Sequence, residues 1–167
     1  YYDCITPGVI LRNILENPGW YTAYTPYQAE IAQGRMEALI NYQTMIIDLT
    51  GMEIANASLL DEATAAAEAM HLLYASRKGD KKNANTFFVD ENTFPQVIDL
   101  LKTRSEPIGV KLKIGNAASL DITNADLFAV YLQNPDNNGE IKDHSSFIAS
   151  AHEKEVFVVM GADLMSL

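Results

Sequence analysis

The residues of this chain best suited to chemistry are hydroxyl-bearing side chains grouped around a proline. Tyr24, Thr25 and Tyr27 flank Pro26 inside an aromatic stretch that spans residues 20–30. Polar aromatic side chains on a rigid turn can line a pocket and aim their hydroxyls at a ligand. Composition is equally compatible with a loop whose aromatic faces pack on the core. Both interpretations stay open at this point.

Two further positions could contact a ligand. Asn56 precedes an alanine-rich segment, and the free N–H groups at the start of a helix can hold an anion such as phosphate. The alternative is that Ser58 caps its own helix. Asp163 follows an apolar run, and open α/β sheets bind ligands at the carboxyl ends of their strands. Ordinary turns would explain both positions as well.

Several chemistries have no support in the sequence. His71, His144 and His152 share no metal-ligand spacing, so we expect surface histidines and no metal site. Cys4 is the only cysteine, which excludes an internal disulfide and favours a reducing compartment. No glycine pattern of a nucleotide-binding loop is present. We therefore expect a cytoplasmic protein, or a protein of the mitochondrial matrix if the source is eukaryotic.

The charge balance excludes two classes of partner. The net charge is −10, with 22 acidic against 12 basic residues. Such a surface repels phosphate backbones and anionic lipids, so we expect binding to neither nucleic acid nor membranes. No apolar run approaches the ~20 residues of a membrane-spanning helix.

The elements that must position these side chains fall into two halves. In residues 1–60, apolar residues from Met36 to Thr50 recur at helical spacing, and Gly51 is the expected C-cap. Ser58 and Asp61 form a capping-box pattern that predicts a helix from Glu62 to Tyr74. We expect a helical segment that carries the tyrosine-rich turn in residues 1–60, and part of a larger α/β domain in residues 61–167.

Strands alternate with short helices in the second half. This pattern indicates βαβ units, an α/β fold and a mostly parallel sheet. Strands are predicted at residues 86–89, 109–114 and 127–132, with a buried fourth strand at 156–160, and helices at 96–102 and 144–154. The chain lacks an initiator methionine and stops soon after a strand-like run, so we expect a fragment with an incomplete sheet.

Several segments together resemble the P-protein family of the glycine cleavage system. The resemblance runs the whole length of the chain and is strongest from Thr6 to Met70. The matching segments are residues 5–18, 22–30, 33–35, 42–45, 49–52, 55–58 and 61–65.

This resemblance implies a fold-type I pyridoxal-phosphate-dependent, transferase-like fold. In that family the two halves of the chain are homologous, and the Schiff-base lysine lies in the second half. Pyridoxal phosphate is therefore expected in the intact enzyme, bound by the other half, and no cofactor is expected in this chain. Phe94 stands where a histidine is expected, and Asp163 aligns with the aspartate that pairs with the pyridine nitrogen, here as a relic.

The resemblance also implies an activity and its partners. Tyr24, Thr25 and Tyr27, with Asn56, would neighbour the substrate during glycine decarboxylation. The aminomethyl group would pass to the lipoyl arm of the H protein. The expected partners are the C-terminal half or second subunit of the P-protein, the H protein, and a second copy in a dimer. The alternatives are another fold-type I enzyme, such as an amino-acid decarboxylase or a desulfurase, or a purely structural half.

Overall fold

The computed structural model describes residues 5–21 and 25–167. The chain divides into two compact units, Tyr1–Ala57 and Ser58–Leu167. The division expected from sequence, between residues 60 and 61, lies slightly further along the chain. In the described ranges, no helix combines the length and the apolar character needed to cross a membrane.

The first unit is built from helices. Short helix α1 runs directly into a single π-helical turn. Helix α2 begins shortly after that turn ends. A 3-10 turn then precedes the long helix α3. The bounds are α1 Gly8–Ile10, the π-helical turn Leu11–Leu15, α2 Pro18–Tyr21, the 3-10 turn Ala29–Ile31 and α3 Gln33–Thr50.

Helix α3 ends where the sequence predicts. Gly51 has φ 68°, a left-handed conformation that glycine adopts without a steric penalty, and its N–H donates to the carbonyl of Ile47. The predicted C-cap is confirmed. The same helix buries no residue, and Ile40 is 59% exposed. Its apolar positions are therefore exposed or only half-buried in this chain.

The second unit is an α/β sandwich around a four-stranded sheet. All strand pairs are parallel and the strand order is β2-β1-β3-β4, which confirms the predicted α/β class and parallel sheet. Its elements are α4 Glu62–Ser76, β1 Thr86–Asp90, α5 Pro95–Ser105, β2 Lys111–Gly115, β3 Leu127–Asn134, α6 Ser145–Glu153 and β4 Phe157–Ala162. The 3-10 turns are Gly79–Lys81, Glu106–Ile108, Ala117–Ser119 and Leu164–Ser166.

Each face of the sheet carries its own hydrophobic core. Phe87 and Tyr131 point to the face covered by α4 and α5, where they pack with Met70 of α4. Phe88 and Leu132, one residue further along their strands, belong to the cluster covered by α6. This alternation follows from the two-residue period of a strand. Helices on both faces explain why β1 and β3 are apolar throughout.

Two local predictions are wrong. Helix α4 is capped by Asp61, whose carboxylate accepts a hydrogen bond from the N–H of Thr64 at 2.7 Å, and not by Ser58. Strand β4 is half-buried along its whole length and not buried. It lies at the end of the strand order in the described sheet, so a neighbouring strand covers only one of its edges.

Candidate functional site

The tyrosine-rich turn borders an open cleft in the first unit. The cleft has a volume of about 610 Å³. Its walls combine hydroxyl, amide and guanidinium groups with apolar surface. The lining residues are Thr25, Pro26, Tyr27, Gln28, Ile31, Ala32, Gly34 and Arg35.

The backbone holds this turn in a tight conformation. The N–H of Tyr27 donates to the carbonyl of Thr25 at 2.9 Å, across Pro26, whose ring limits its own φ. Tyr27 is 82% exposed, so its ring does not pack in the core of this chain. The alternative of a loop packed by its aromatic faces does not describe Tyr27 in this structure.

The structure groups some of the predicted residues and separates others. Thr25 and Tyr27 line the same cleft, whereas Tyr24 lies outside the described residues. Asn56 is exposed and does not line the cleft. Its segment is tied to α3, because the Gln43 amide donates to the carbonyl of Ala55 at 2.6 Å. The assignment of Tyr24, Thr25, Tyr27 and Asn56 to substrate contact stays a prediction.

The cleft contains one charged residue that is not among the candidates predicted from the sequence, Arg35. It is half-buried in the first turn of α3 and is the only charged side chain among the described lining residues. A signal was present in the sequence, because Arg35 is the only lysine or arginine between Arg12 and Arg77. A single cation in a long acidic stretch follows a tyrosine-rich turn, and that isolation marks it as a candidate anion contact.

Asp163 lies at the carboxyl edge of the sheet in the second unit. Its N–H donates to the carbonyl of Asn134 at 3.1 Å, which joins the ends of β4 and β3. Its carboxylate accepts a hydrogen bond from the N–H of Met165 at 2.8 Å and so caps the 3-10 turn that follows. Within this structure Asp163 stabilises a turn, and its expected role as a cofactor relic stays a prediction.

Next to Asp163, a buried polar network fills the space above β3 and β4. The Gln133 amide donates to the Glu62 carboxylate at 2.7 Å and to the carbonyl of Gly161 at 3.1 Å. The Tyr131 hydroxyl donates to the Gln133 amide oxygen at 3.0 Å. Gln133 is 4% exposed and Tyr131 is 1% exposed, whereas Glu62 is half-buried, so the network is buried at β3 and reaches the surface at α4. It links the first turn of α4 to the carboxyl ends of both strands.

The start of α4 does not suit a phosphorylated cofactor. A phosphate at the N-terminus of α4 would meet the carboxylates of Asp61 and Glu62. Hydrogen bonds from the backbone and side chain of Thr64 lower the pKa of Asp61, so that carboxylate is charged at neutral pH. Two negative charges at the helix start oppose a third. The residues present therefore do not fit pyridoxal phosphate at this helix.

Lys142 lies at the same edge, and its ammonium group forms two ion pairs. Lys142 pairs with Glu140 at 2.9 Å and with Asp136 at 3.1 Å. Hydrogen bonds to Glu140 and then Asp136 raise the pKa of Lys142, which keeps the ammonium protonated. A protonated amine is not a nucleophile, so Lys142 does not suit covalent chemistry.

A second cleft of about 520 Å³ opens where β1 and β3 send their chains to opposite faces of the sheet. Ligands often bind at such switch points. His144 lines it and is half-buried, and its Nε2 atom is buried without a hydrogen-bond partner among the described residues. His71 is half-buried with one ring nitrogen 3.2 Å from the Arg104 carbonyl, and His152 is exposed. Among the described residues, no three histidine, cysteine or acidic side chains form a group that could hold a metal.

The chain matches the family described as glycine cleavage system P-protein over residues 1–167. Relatives named glycine dehydrogenase (decarboxylating) include proteins of Nostoc punctiforme, 58% identical over 167 residues, and Dechloromonas aromatica, 58% identical over 167 residues. Another, from Flavobacterium johnsoniae, is 56% identical over 169 residues. Each match covers 100% of this chain, but only 17% to 18% of the relative.

Solved structures are similar to the chain as well. A crystal structure of glycine decarboxylase (P-protein) of the glycine cleavage system, in inhibitor-bound form, has a TM-score of 0.76 and 34% identity, and the match covers 95% of this chain and 36% of that one. A methionine gamma lyase from Micromonospora echinospora, in its apo form, has a TM-score of 0.55 and 17% identity over 74% of this chain and 32% of that one, which shows a shared fold alone. With the family match over its full length, the chain belongs to the glycine cleavage system P-protein family.

Proposed function

We propose that the complete protein containing this chain decarboxylates glycine and passes the aminomethyl group to the lipoyl arm of the H protein. Family membership and relatives named glycine dehydrogenase (decarboxylating) support this proposal. Because the chain spans only 17% to 18% of those relatives, the activity is assigned to the whole protein. The chain alone should be inactive.

This chain contributes a wall of the substrate site. The observation that carries the proposal is that Thr25 and Tyr27 line one cleft on a turn fixed by Pro26. Hydroxyls held in place before the substrate arrives can orient it without transferring a proton. We assign Tyr24 to the same wall because it is adjacent to Thr25 in sequence, and Asn56 to its periphery.

The cofactor and the partners follow from the same proposal. Pyridoxal phosphate is held by the other half of the intact enzyme, since the start of α4 in this chain does not suit its phosphate. That half, or a second subunit, completes the site, and the H protein delivers the lipoyl arm. A dimer is the expected assembly. The single cysteine fits a reducing compartment, so we assign the protein to the cytoplasm.

The test is removal of single hydroxyls in the complete protein. Tyr24→Phe and Tyr27→Phe should each lower the rate of glycine–bicarbonate exchange roughly tenfold to a hundredfold, because one substrate hydrogen bond is lost. For Tyr27→Phe the melting temperature should not change, since Tyr27 is 82% exposed in this chain. Tyr42→Phe is the matched control, because Tyr42 is exposed on α3 and lines no part of the cleft.

Two outcomes would contradict this assignment. Full exchange activity in both tyrosine variants, with a lowered melting temperature, would make the turn structural. A wild-type protein without glycine exchange, but with activity on another amino acid, would favour a different fold-type I decarboxylase or a desulfurase.

A further inference from the structure

We propose that Asn138 is a site of spontaneous modification, at which the side-chain amide is lost and aspartate or isoaspartate forms slowly. Asn138 precedes Gly139, and this is the only Asn-Gly pair in the 167 residues of the chain. Both residues are exposed in the loop that joins β3 to α6. The inference concerns the chemistry of this loop and does not depend on the proposed function.

The reaction requires a backbone nitrogen to reach the amide carbon of the preceding side chain. The Gly139 nitrogen forms a bond to Cγ of Asn138, and the bond from Cγ to Nδ2 breaks. A proton moves from the Gly139 nitrogen to the departing Nδ2, which leaves as ammonia. Water then opens the cyclic imide at either carbonyl, which gives aspartate or isoaspartate.

Gly139 favours this attack because it has no side chain that hinders the approach of its nitrogen. Apart from its chain neighbours, no atom of the described residues lies within 4 Å of the position that a Cβ would take. Its φ is 77°, so this site is in a conformation that glycine adopts readily. The sequence and the open surroundings therefore both permit the reaction.

The native loop opposes the attack, because hydrogen bonds hold both reacting groups. The N–H of Gly139 donates to the carbonyl of Asp136 at 2.9 Å, and the Asn138 amide donates to Oδ1 of Asn92 at 3.2 Å. The Gly139 nitrogen must leave that carbonyl before it can reach Cγ. The modification therefore proceeds from conformations in which the loop has opened locally.

Asp136 controls how often the loop opens. Its side chain is 5% exposed, and its carboxylate accepts hydrogen bonds from the N–H groups of Asn138 at 2.8 Å and Glu140 at 3.0 Å. The same carboxylate pairs with Lys142 at 3.1 Å. Without these acceptors the two N–H groups lose their partners in the loop, and the closed conformation loses stability.

The product changes the loop in two ways. A carboxylate at position 138 cannot donate to Asn92, and it adds a negative charge close to the carboxylate of Asp136. Isoaspartate also adds a methylene to the backbone, so the N–H groups of residues 138 and 140 no longer match the Asp136 carboxylate. The modified protein should therefore melt at a lower temperature than the fresh protein.

The experiment incubates the complete protein for several days at mildly alkaline pH, folded in buffer and unfolded in urea. One tryptic peptide contains Asn116, Asn124 and Asn138, and fragmentation in the mass spectrometer assigns the modified residue. Position 138 should gain the mass of deamidation and accept methyl groups from an isoaspartyl methyltransferase. Asn116 and Asn124, each followed by alanine, are the internal controls and should react far more slowly. The unfolded protein should react faster than the folded protein.

Two variants test the control by the loop. Asp136→Ala should raise the rate at position 138 roughly tenfold, because the closed loop loses the hydrogen bonds of the carboxylate. Asn92→Ala removes only the acceptor of the Asn138 amide, so its rate should rise less and its fold should be retained. Circular dichroism checks that each variant is folded, and Asn138→Gln should abolish the reaction.

Two results would overturn the inference. Modification of Asn116 or Asn124 before Asn138 in the folded protein would mean that Asn138 is not the preferred site. Equal rates in the wild type and in a folded Asn92→Ala or Asp136→Ala variant would mean that the loop does not control the reaction. Since the readout is the mass of a peptide, a protein without glycine exchange would contradict the proposed function and leave this inference standing.

Discussion

At the scale of single residues, Gly161 shows how tightly the carboxyl edge of the sheet is filled. A methyl group on Gly161 would overlap the hydroxyl of Tyr131, which is buried and hydrogen-bonded to Gln133. Glycine is needed there because the neighbouring strand places a large side chain against the backbone. The polar network of Gln133 therefore depends on the absence of a side chain at Gly161.

We expect Gly161→Ala to destabilise the complete protein by about 1–3 kcal/mol, because the added methyl forces Tyr131 and Gln133 out of place. Gly115→Ala is the matched control in another strand, since its methyl would lie 3.6 Å from the ring of Phe88, an ordinary contact. Thermal unfolding of both variants beside the wild type measures the difference. Equal melting temperatures for all three proteins would show that the edge can relax.

At the scale of elements, the start of α4 shows how one capping carboxylate fixes the residue at which a helix begins. Asp61 has extended backbone, with φ −157°, and its side chain accepts the N–H of Thr64. Such a cap satisfies one of the N–H groups that a helix start leaves without a partner. Ser58 lies outside the helix and gives it no cap, although its spacing to Asp61 fits a capping box.

Substituting Asp61 and Ser58 one at a time tests which of the two residues caps α4. We expect Asp61→Ala to lower the melting temperature, because the Thr64 N–H loses its acceptor and the positive helix end loses a negative charge. Ser58→Ala should leave the melting temperature unchanged. Circular dichroism on heating measures both variants. A larger effect from Ser58→Ala would reinstate the capping box.

Most elements could be predicted because their apolar residues follow the pattern of a helix or a strand. Apolar patterns in the sequence predict strands β1 and β3 and helix α3. The predicted bounds of each lie within a few residues of the observed bounds. What could not be predicted depends on neighbours distant in sequence. That Arg35 shares a cleft with the tyrosine-rich turn is visible only in the folded chain. The hydrogen bonds of Gln133 likewise need Glu62 and Gly161, which are distant in sequence.

At the scale of the molecule, the two units differ in how much they bury. In the second unit, β1 and β3 are almost fully buried between helices. In the first unit, no residue among 5–21 and 25–57 is buried, and Ile31 and Ile54 are 83% and 84% exposed. Apolar surface on this scale marks regions that pack against other protein.

We expect the chain of residues 1–167, on its own, to self-associate, because these exposed apolar side chains gain stability by leaving water. Sedimentation velocity over a range of concentrations should show species larger than a monomer. Residues 58–167 alone serve as the comparison and should associate less. A clean monomer with one cooperative unfolding transition would contradict the prediction.

The strand order has a consequence for biosynthesis. β1 lies between β2 and β3, yet the ribosome releases β1 and β2 before β3. Until residue 134 has emerged, the backbone N–H and carbonyl groups along one edge of β1 lack their partner strand. Unpaired apolar strand edges are the surfaces that chaperones protect and that aggregate when left open. Nascent chains that stop between β2 and β3 should therefore be the most prone to aggregation during translation.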